Sequence, residues 1–542
     1  LFPYTTLFRS DTPTNYTAAS GNNGGNYCVL NPLASTDGTM SDGNLKIVTN
    51  SSGYGVYTST IGMSSGKWYA EAVATAMTYT HFGLIKSDVN YSSSTIVGNA
   101  TDTAAYRSND GVFRLGNSNK FTGATFAAND VIGLAFDADA GSCAVYKNGS
   151  LQGTATGFSS GTWFFAGSDN DGTTTATHVW NFGARPFDYT PPTNHLSLCT
   201  TNLADPTIAD GSTAFNAKLW TGDGSSSRAI TGYNHSPDLV WIKIRNDAYG
   251  HAIFDTVRGA NIRLDSVGNN ADQTVTDGLH SFDSDGFTIG NRNTVGENNK
   301  TYVGWSWDAG TSTASNTDGS ITSNVRASQT NGFSIVSYTS NDTAGATVGH
   351  GLNAPMEFAI FKNRDSTVNW VVYHKSLNIT SGQAINLNST GAAYTSNAQF
   401  NSTAATNSVF TIGSGGNTGY SSGDDFIAYC WTSVSQYSSF GSYVGNGSAD
   451  GPFVYTGFRV KWLLLRNTSR AENWVIYDDL RSDFNAYLAP NTADAEGSFT
   501  QPVFGLSNGF QLGDTRQLHN RSGDTYIYAA FAEHPFKTAR AR

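Results

Sequence analysis

Three close pairs of carboxylates, Asp137/Asp139, Asp424/Asp425 and Asp478/Asp479, are the residues of this 542-residue chain whose spacing could suggest acid–base chemistry. Cleavage of a glycosidic bond needs two carboxyl groups facing each other across a cleft, roughly 5–10 Å apart. Asp137 and Asp139 flank a turn, where Asp is favoured because its side chain bonds nearby backbone. Adjacent residues of a strand point to opposite faces, so neither Asp424/Asp425 nor Asp478/Asp479 forms a dyad by itself. Gly447-Ser448-Ala449-Asp450-Gly451 is not a nucleophile elbow, and the ten His form no HExxH motif. Cys28, Cys143, Cys199 and Cys430 are widely spaced and read as isolated thiols, neither a disulfide framework nor a metal pattern. No catalytic residue, no metal and no cofactor is therefore expected, and the chain reads as a non-enzyme.

Aromatic and polar loop residues are the stronger candidates for binding. Exposed Tyr stacks on sugar rings or protein surfaces and loses little side-chain entropy when it does so. Tyr91 in NYSSST and Tyr106-Arg107 in AAYRSNDG fall in expected loops. Ser168-Asp169-Asn170-Asp171-Gly172 offers oxygen ligands, with Asp169 and Asp171 as ligand-binding candidates. It lacks the later acidic residue of a calcium loop, and whether calcium sits there is left open. Trp370 and Trp474 recur in register inside expected strands and read as core.

The elements that must position these residues are strands. Charged residues make up 13% of the chain, about half the usual share, while Gly is abundant and aromatics reach 13%. A chain poor in Lys, Glu and Met but rich in Thr, Val, Tyr, Phe, Gly and Asn favours strands and tight turns over helices. The expected class is all-β. A net charge of −11 without any Lys/Arg cluster argues against nucleic acid as a partner. No run approaches the ~18 apolar residues of a helical membrane span, so no membrane insertion is expected.

From Phe215 onward the sequence repeats four elements three times. The first reads AFNAKLWTGDGS, GFSIVSYTSND and SFGSYVGNGS. The second reads SPDLVWIKIRNDAYGHAIFD, APMEFAIFKNRDSTVNWVVYH and FRVKWLLLRNTSRAENWVIYD. The third reads SDGFTIG, NSVFTIG and SNGFQLG, ending at Gly290, Gly413 and Gly513; the fourth reads KTYVGWSW, DDFIAYCW and DTYIYAAF. A repeat of roughly 100–120 residues is too long for a solenoid unit. Three tandem small β domains are expected at 215–325, 326–436 and 437–542, after a connector at 193–214. Strands such as VKWLLLRN are apolar on both faces and read as doubly buried. The Gly/Asn stretches before each last strand read as long, variable hairpin loops.

Residues 11–192 carry a different set: Gly66-Lys67-Trp68-Tyr69 with Glu71, Phe82-Gly83-Leu84, Asp130-Val131-Ile132-Gly133, Phe136-Asp137, Tyr146-Lys147-Asn148-Gly149, Trp163-Phe164 and Asn181-Phe182-Gly183. In this order they resemble the SPRY (B30.2-like) domain. The resemblance implies a concanavalin-like sandwich of two antiparallel sheets that binds partners through edge loops and has no catalytic residues. The whole succession of unit, connector, repeats and basic end also resembles structural proteins of tailed bacteriophages. That implies a virion or tail-fibre-associated protein, made in the host bacterial cytoplasm, whose partners are a bacterial surface glycan or protein and other virion proteins. A homo-oligomer is left open, and a tail-associated polysaccharide depolymerase is the alternative. Residues 1–10, LFPYTTLFRS, reverse-translate to CTC TTT CCC TAC ACG ACG CTC TTC CGA TCT, which looks like a sequencing adapter. They are expected to be a non-native scar.

Overall fold

The computed structural model describes residues 25–537 apart from 37, 51–53, 90–94, 172 and 420–422. The adapter-like residues 1–10 lie outside the described residues. The protein is all-β, as its composition implies; its described helices are single 3-10 turns such as Gly211–Thr213. The chain divides at Asp205/Pro206 into two units, a point inside the expected connector.

The first unit is a sandwich of two sheets, antiparallel except where Leu196–Ser197 pairs in parallel with Lys67–Ala76. One runs Leu30–Ser35, Tyr57–Ser59, Trp163–Asp169, Thr80–Lys86, Thr103–Arg107, Val112–Leu115, Ser118–Thr122. The other centres on Lys67–Ala76, flanked by Val131–Asp137 and Thr177–Asn181. Phe82 of one sheet meets Trp180 of the other edge-on at 5.5 Å, and Phe136 meets Trp163 at 6.3 Å, so the core lies between the sheets. Asn148 and Gly149 both take positive φ in the two-residue turn joining Ser142–Lys147 to Ser150–Thr156, the conformation that Asn-Gly favours. Glu71 is buried and accepts the backbone N–H groups of Asp188 (2.8 Å) and Tyr189 (2.9 Å), pinning the closing segment to the central strand.

In the second unit the three sequence copies recur as three similar sheets. In each, a first strand and a second-element strand flank the last strand of the copy. Phe215–Thr221 and Leu239–Ile244 flank Thr301–Trp307; Phe333–Thr339 and Phe358–Asn363 flank Asp425–Trp431; Ser438–Val444 and Phe458–Asn467 flank Thr525–Pro535. Double burial of the VKWLLLRN strand holds, with Lys461 its half-buried exception. Its apolar residues are buried on both faces because the three copies share one core. Trp307 packs against Trp431 (6.0 Å) and Trp462 (5.5 Å), Phe215 against Phe531 (5.4 Å), and Phe358 against Phe440 (5.5 Å). Matching backbone hydrogen bonds link the copies in a closed ring: Asp272 N–H to Arg364 O (2.7 Å), Ala393 N–H to Thr468 O (3.0 Å) and Glu496 N–H to Arg245 O (2.7 Å).

Two expectations change. The boundary at 325/326 falls within Ser323–Ser328, which pairs with Phe333–Thr339 and with Thr313–Asn316. That hairpin therefore extends the sheet of the second copy. The Gly/Asn stretches are also not hairpin loops. Gly286–Ile289, Val409–Thr411 and Gly509–Leu512 pair in small separate sheets with strands such as Arg228–Thr231. The stretch after each one crosses from that sheet to the large one.

Candidate functional site

Of the residues expected to bind, Tyr91 lies outside the described residues. Tyr106 is corrected from loop to core: it sits in Thr103–Arg107 with no exposed surface, stacks on Phe126 at 5.7 Å, and donates its hydroxyl to Ala124 O. Its apolar neighbours Ala104 and Ala105 extend the strand, so an aromatic expected to be free became interior. Arg107 beside it is tied to Asp110 by Nε (3.1 Å) and by a second, shorter contact. Asp169 is likewise corrected. It ends Trp163–Asp169 fully buried, accepting the Thr49 hydroxyl (3.2 Å) and the Asp171 N–H (3.2 Å), and burial raises its carboxyl. Asp171 is half-buried; the hydroxyls of Thr173 and Thr174 bond it and hold its carboxyl low. The two carboxylates are thus spent on internal donors, and among the described residues no group of three His, Cys, Asp or Glu could hold a metal.

The same end of the sandwich presents Tyr79, 42% exposed. Its carbonyl accepts Asn170 N–H (2.8 Å), and Thr78 and Thr174 share a hydroxyl bond (2.8 Å), so the two loops stand together. Its signal in the sequence was positional: one strand alternates up to Ala76 and the next starts at Thr80. Beneath lies a buried chain of polar groups. Tyr57 OH bonds His178 Nδ1 (2.8 Å), His178 Nε2 bonds Thr80 Oγ1 (2.9 Å), and Trp180 Nε1 donates to Tyr57 OH (3.1 Å). Burial pushes His178 down to about 3 and neighbouring His81 to about 4, so both are neutral at ordinary pH.

The carboxylate pairs do not assemble. Asp137 pairs with Lys67 (2.9 Å) and accepts Ala140 N–H, while Asp139 accepts Gly66 N–H. Asp424 accepts Asn363 and Ser366, whereas Asp425 faces Thr339 and Arg364. Asp478 points inward to Arg481 (2.7 Å), and Asp479 points the other way, toward Lys461 and Glu533, with burial raising its carboxyl to about 7.

The second unit holds an open polar groove of about 330 Å³ on the sheet of the second copy. The extra hairpin builds one wall with Thr322 and Asn324; Ser337 and Thr339 supply the floor; Arg364 and Asp425 supply the charge. Asn324 stands opposite Ser337 in the pairing, and Thr339 opposite Asp425, so their side chains line one face. Arg364 is oriented by Asp272 of the first copy (Nε to Oδ2, 2.8 Å) and reaches Asp425 at 3.7 Å. Thr339 donates to Asp425 Oδ1 at 2.6 Å. Sequence reasoning missed this site because its residues are common surface types and gather only when strands far apart in the chain pair.

The junctions between copies were also invisible in sequence. At the first–second junction, Asp255 and Arg258 form a fully buried pair, and Arg258 also bonds Asp272 (3.0 Å) and Tyr429 (3.1 Å) of the second copy. At the third–first junction, Asp478 and Arg481 repeat this arrangement with Glu496 (3.0 Å) and Trp305, whose indole N–H donates to Asp478 at 3.0 Å. At the second–third junction the corresponding residues are His374 and Leu377, and His374 Nε2 bonds Tyr528 O at 3.0 Å. Trp370 and Trp474 are core, as expected, and their indole N–H groups donate across junctions to Asp265 O and Asn386 O.

Solved structures similar to part of the chain include SPRY domains. The SPRY domain of human HERC1 shares 17% identity over 28% of this chain and 96% of that one, with a TM-score of 0.26. A human SPRY domain shares 19% over 25% and 91%, with a TM-score of 0.22. The TRIM65 PSpry domain shares 11% over 28% and 89%, with a TM-score of 0.24. No curated protein sequence matches the chain. A family model described as Domain of unknown function (DUF7483) matches residues 210–535.

Proposed function

Because the chain belongs to the DUF7483 family through the greater part of its length, we propose a function read from its own surfaces: it is a non-catalytic binding protein whose second unit holds a hydroxyl-rich ligand, a glycan, in the polar groove. The groove carries this reading. Hydroxyls, an amide and an Arg/Asp pair on one sheet face can donate to and accept from sugar hydroxyls, and a charged pair already anchored by Asp272 needs little reordering on binding. The exposed Tyr79 end of the sandwich is a second contact surface of the same kind. The resemblance to tailed-phage structural proteins supports a place on the virion, with a bacterial surface glycan as the target and neighbouring particle proteins as further partners. Glycan-array binding of the full chain tests the groove: T322A/N324A, two exposed changes, should weaken binding at least tenfold without changing thermal stability. Wild-type protein that binds no glycan, or a variant that binds equally well, removes the proposal.

One observation favours the alternative of a polysaccharide depolymerase. A carboxyl raised to about 7, as Asp479 is, suits a general acid, and Glu533 with Lys461 stands beside it. New reducing or unsaturated ends released from bacterial polysaccharides, and lost in D479N, would establish it; no release across a broad panel removes it.

A further inference from the structure

One fully buried cation recurs at the same place in each copy of the second unit. Lys243, Lys362 and Arg466 each stand four residues after the residue paired to Trp307, Trp431 or Phe531 on the last strand of their copy. Each is 0% exposed. The two lysines are satisfied by backbone. Lys243 Nζ donates to Ile244 O (2.8 Å), Ala493 O (3.2 Å) and Asp247 O (3.5 Å); Lys362 Nζ donates to Asn363 O (2.7 Å) and Ser366 O (3.1 Å).

Arg466 is treated differently. One Nη2–H donates to Gly391 O, and the guanidinium lies 5.6 Å from the Trp474 ring. Its Nε and Nη1 are buried and have no acceptor. A guanidinium cannot shed its proton to escape burial, and a buried charge left without a counter-charge is strongly unfavourable. The other junctions supply acids where the copies meet: Asp272 at the first–second junction and Glu496 at the third–first junction, each bonded to arginines of both copies. The backbone position that carries Asp272 and Glu496 is occupied at the second–third junction by Ala393. Glu472 acts on Arg466 only through space. Gly391, whose carbonyl takes the Nη2–H bond, lies in the short polar segment Ser389-Thr390-Gly391, of which Thr390 and Gly391 are exposed.

We propose that Arg466, under the 389–393 loop, is a binding site for a small anion taken from solution, which supplies the counter-charge that Asp272 and Glu496 give the other two junctions. The free Nε–H and Nη1–H suit an oxyanion such as phosphate or sulfate.

The test is hydrogen exchange over residues 386–395 and 460–475 of the full chain, in inorganic phosphate titrated at constant ionic strength. Phosphate also stabilises proteins by exclusion from their surfaces, so the readout is the difference between wild type and R466K. Lysine is the residue the other copies use here, so R466K should fold. Wild type should gain saturable protection, with about an elevenfold fall in local opening at phosphate ten times its dissociation constant, and R466K should lose that gain. Sulfate and chloride arms distinguish oxyanions from any anion. Equal responses in wild type and R466K overturn the proposal. So does an unresponsive wild type combined with loss of protection in E472Q, which would assign the counter-charge to Glu472.

Discussion

The buried Asp478–Arg481 pair lends itself to a quantitative test, because the protein contains its own replacement for it. Both side chains are 0% exposed, and Arg481 spends its donors on Asp478 (2.7 Å), Ile476 O (3.1 Å) and Glu496 (3.0 Å). R481L leaves Asp478 buried with its backbone and Trp305 donors but no cation, which should cost about 3–5 kcal/mol. R258L at the first–second junction removes the same partner from Asp255 and should cost about as much. The second copy holds His374 and Leu377 at these positions, with the imidazole bonded to Tyr528 O and Ser376 N–H. D478H/R481L should therefore recover most of the loss, with a coupling energy of at least ~2 kcal/mol between the two sites. Urea unfolding of the full chain, followed by hydrogen exchange of residues 475–488, separates this unit from the sandwich. A double variant no more stable than R481L alone would refute the view that these junctions tolerate either a complete ion pair or none.

Other outcomes follow from single sites. Y106A should destabilise the sandwich by about 3–5 kcal/mol as a core deletion, whereas Y79A should leave its melting unchanged and weaken any glycan binding by that end. His178 and His81 have folded values below the unfolded ~6.5, so the unfolded chain binds more protons. The sandwich should keep full stability above pH ~6.5 and lose up to about 1.4 kcal/mol per histidine per pH unit as pH falls toward 4, seen as a falling melting temperature. Asp479 has the opposite sign: its raised carboxyl costs stability as pH rises from about 4 to 7, so D479N should stabilise the second unit at pH 8 and not at pH 4 in the same melting assay.

Local patterning made the strands legible. Alternation, double burial and turn dipeptides are properties of contiguous residues, and Asn148-Gly149, Phe458–Asn467 and the repeated Trp370/Trp474 follow from them directly. Exposure of a single residue is not such a property. In the sequence Tyr106 falls in an expected loop and Asp169 in a segment of oxygen ligands, yet each lies within a strand whose neighbours turn it inward. The opposite directions of Asp478 and Asp479 follow from strand geometry alone: one side chain enters the junction and the other leaves it.

Pairing between copies is the level the sequence hides, and the functional differences concentrate there. A closed ring of three sheets needs three equivalent junctions, and the matching backbone bonds at 272/364, 393/468 and 496/245 show that the frame is met three times. The side chains at those junctions are freer. Two are ionic, and one exchanges Asp, Arg and acid for His374, Leu377 and Ala393 while retaining a buried arginine. The hairpin 313–328 likewise belongs to one copy, and it walls the groove. Each copy brings its own side chains to its junctions, so a self-consistent set in one copy can differ from the others without altering the backbone frame. Arg466, and the groove that the extra hairpin and Asp425 form beside Arg364, are both differences of this kind, at the two junctions of the second copy. R466K, which restores the symmetry, and T322A/N324A, which alters only exposed residues of the groove wall, should therefore spare the fold and remove binding.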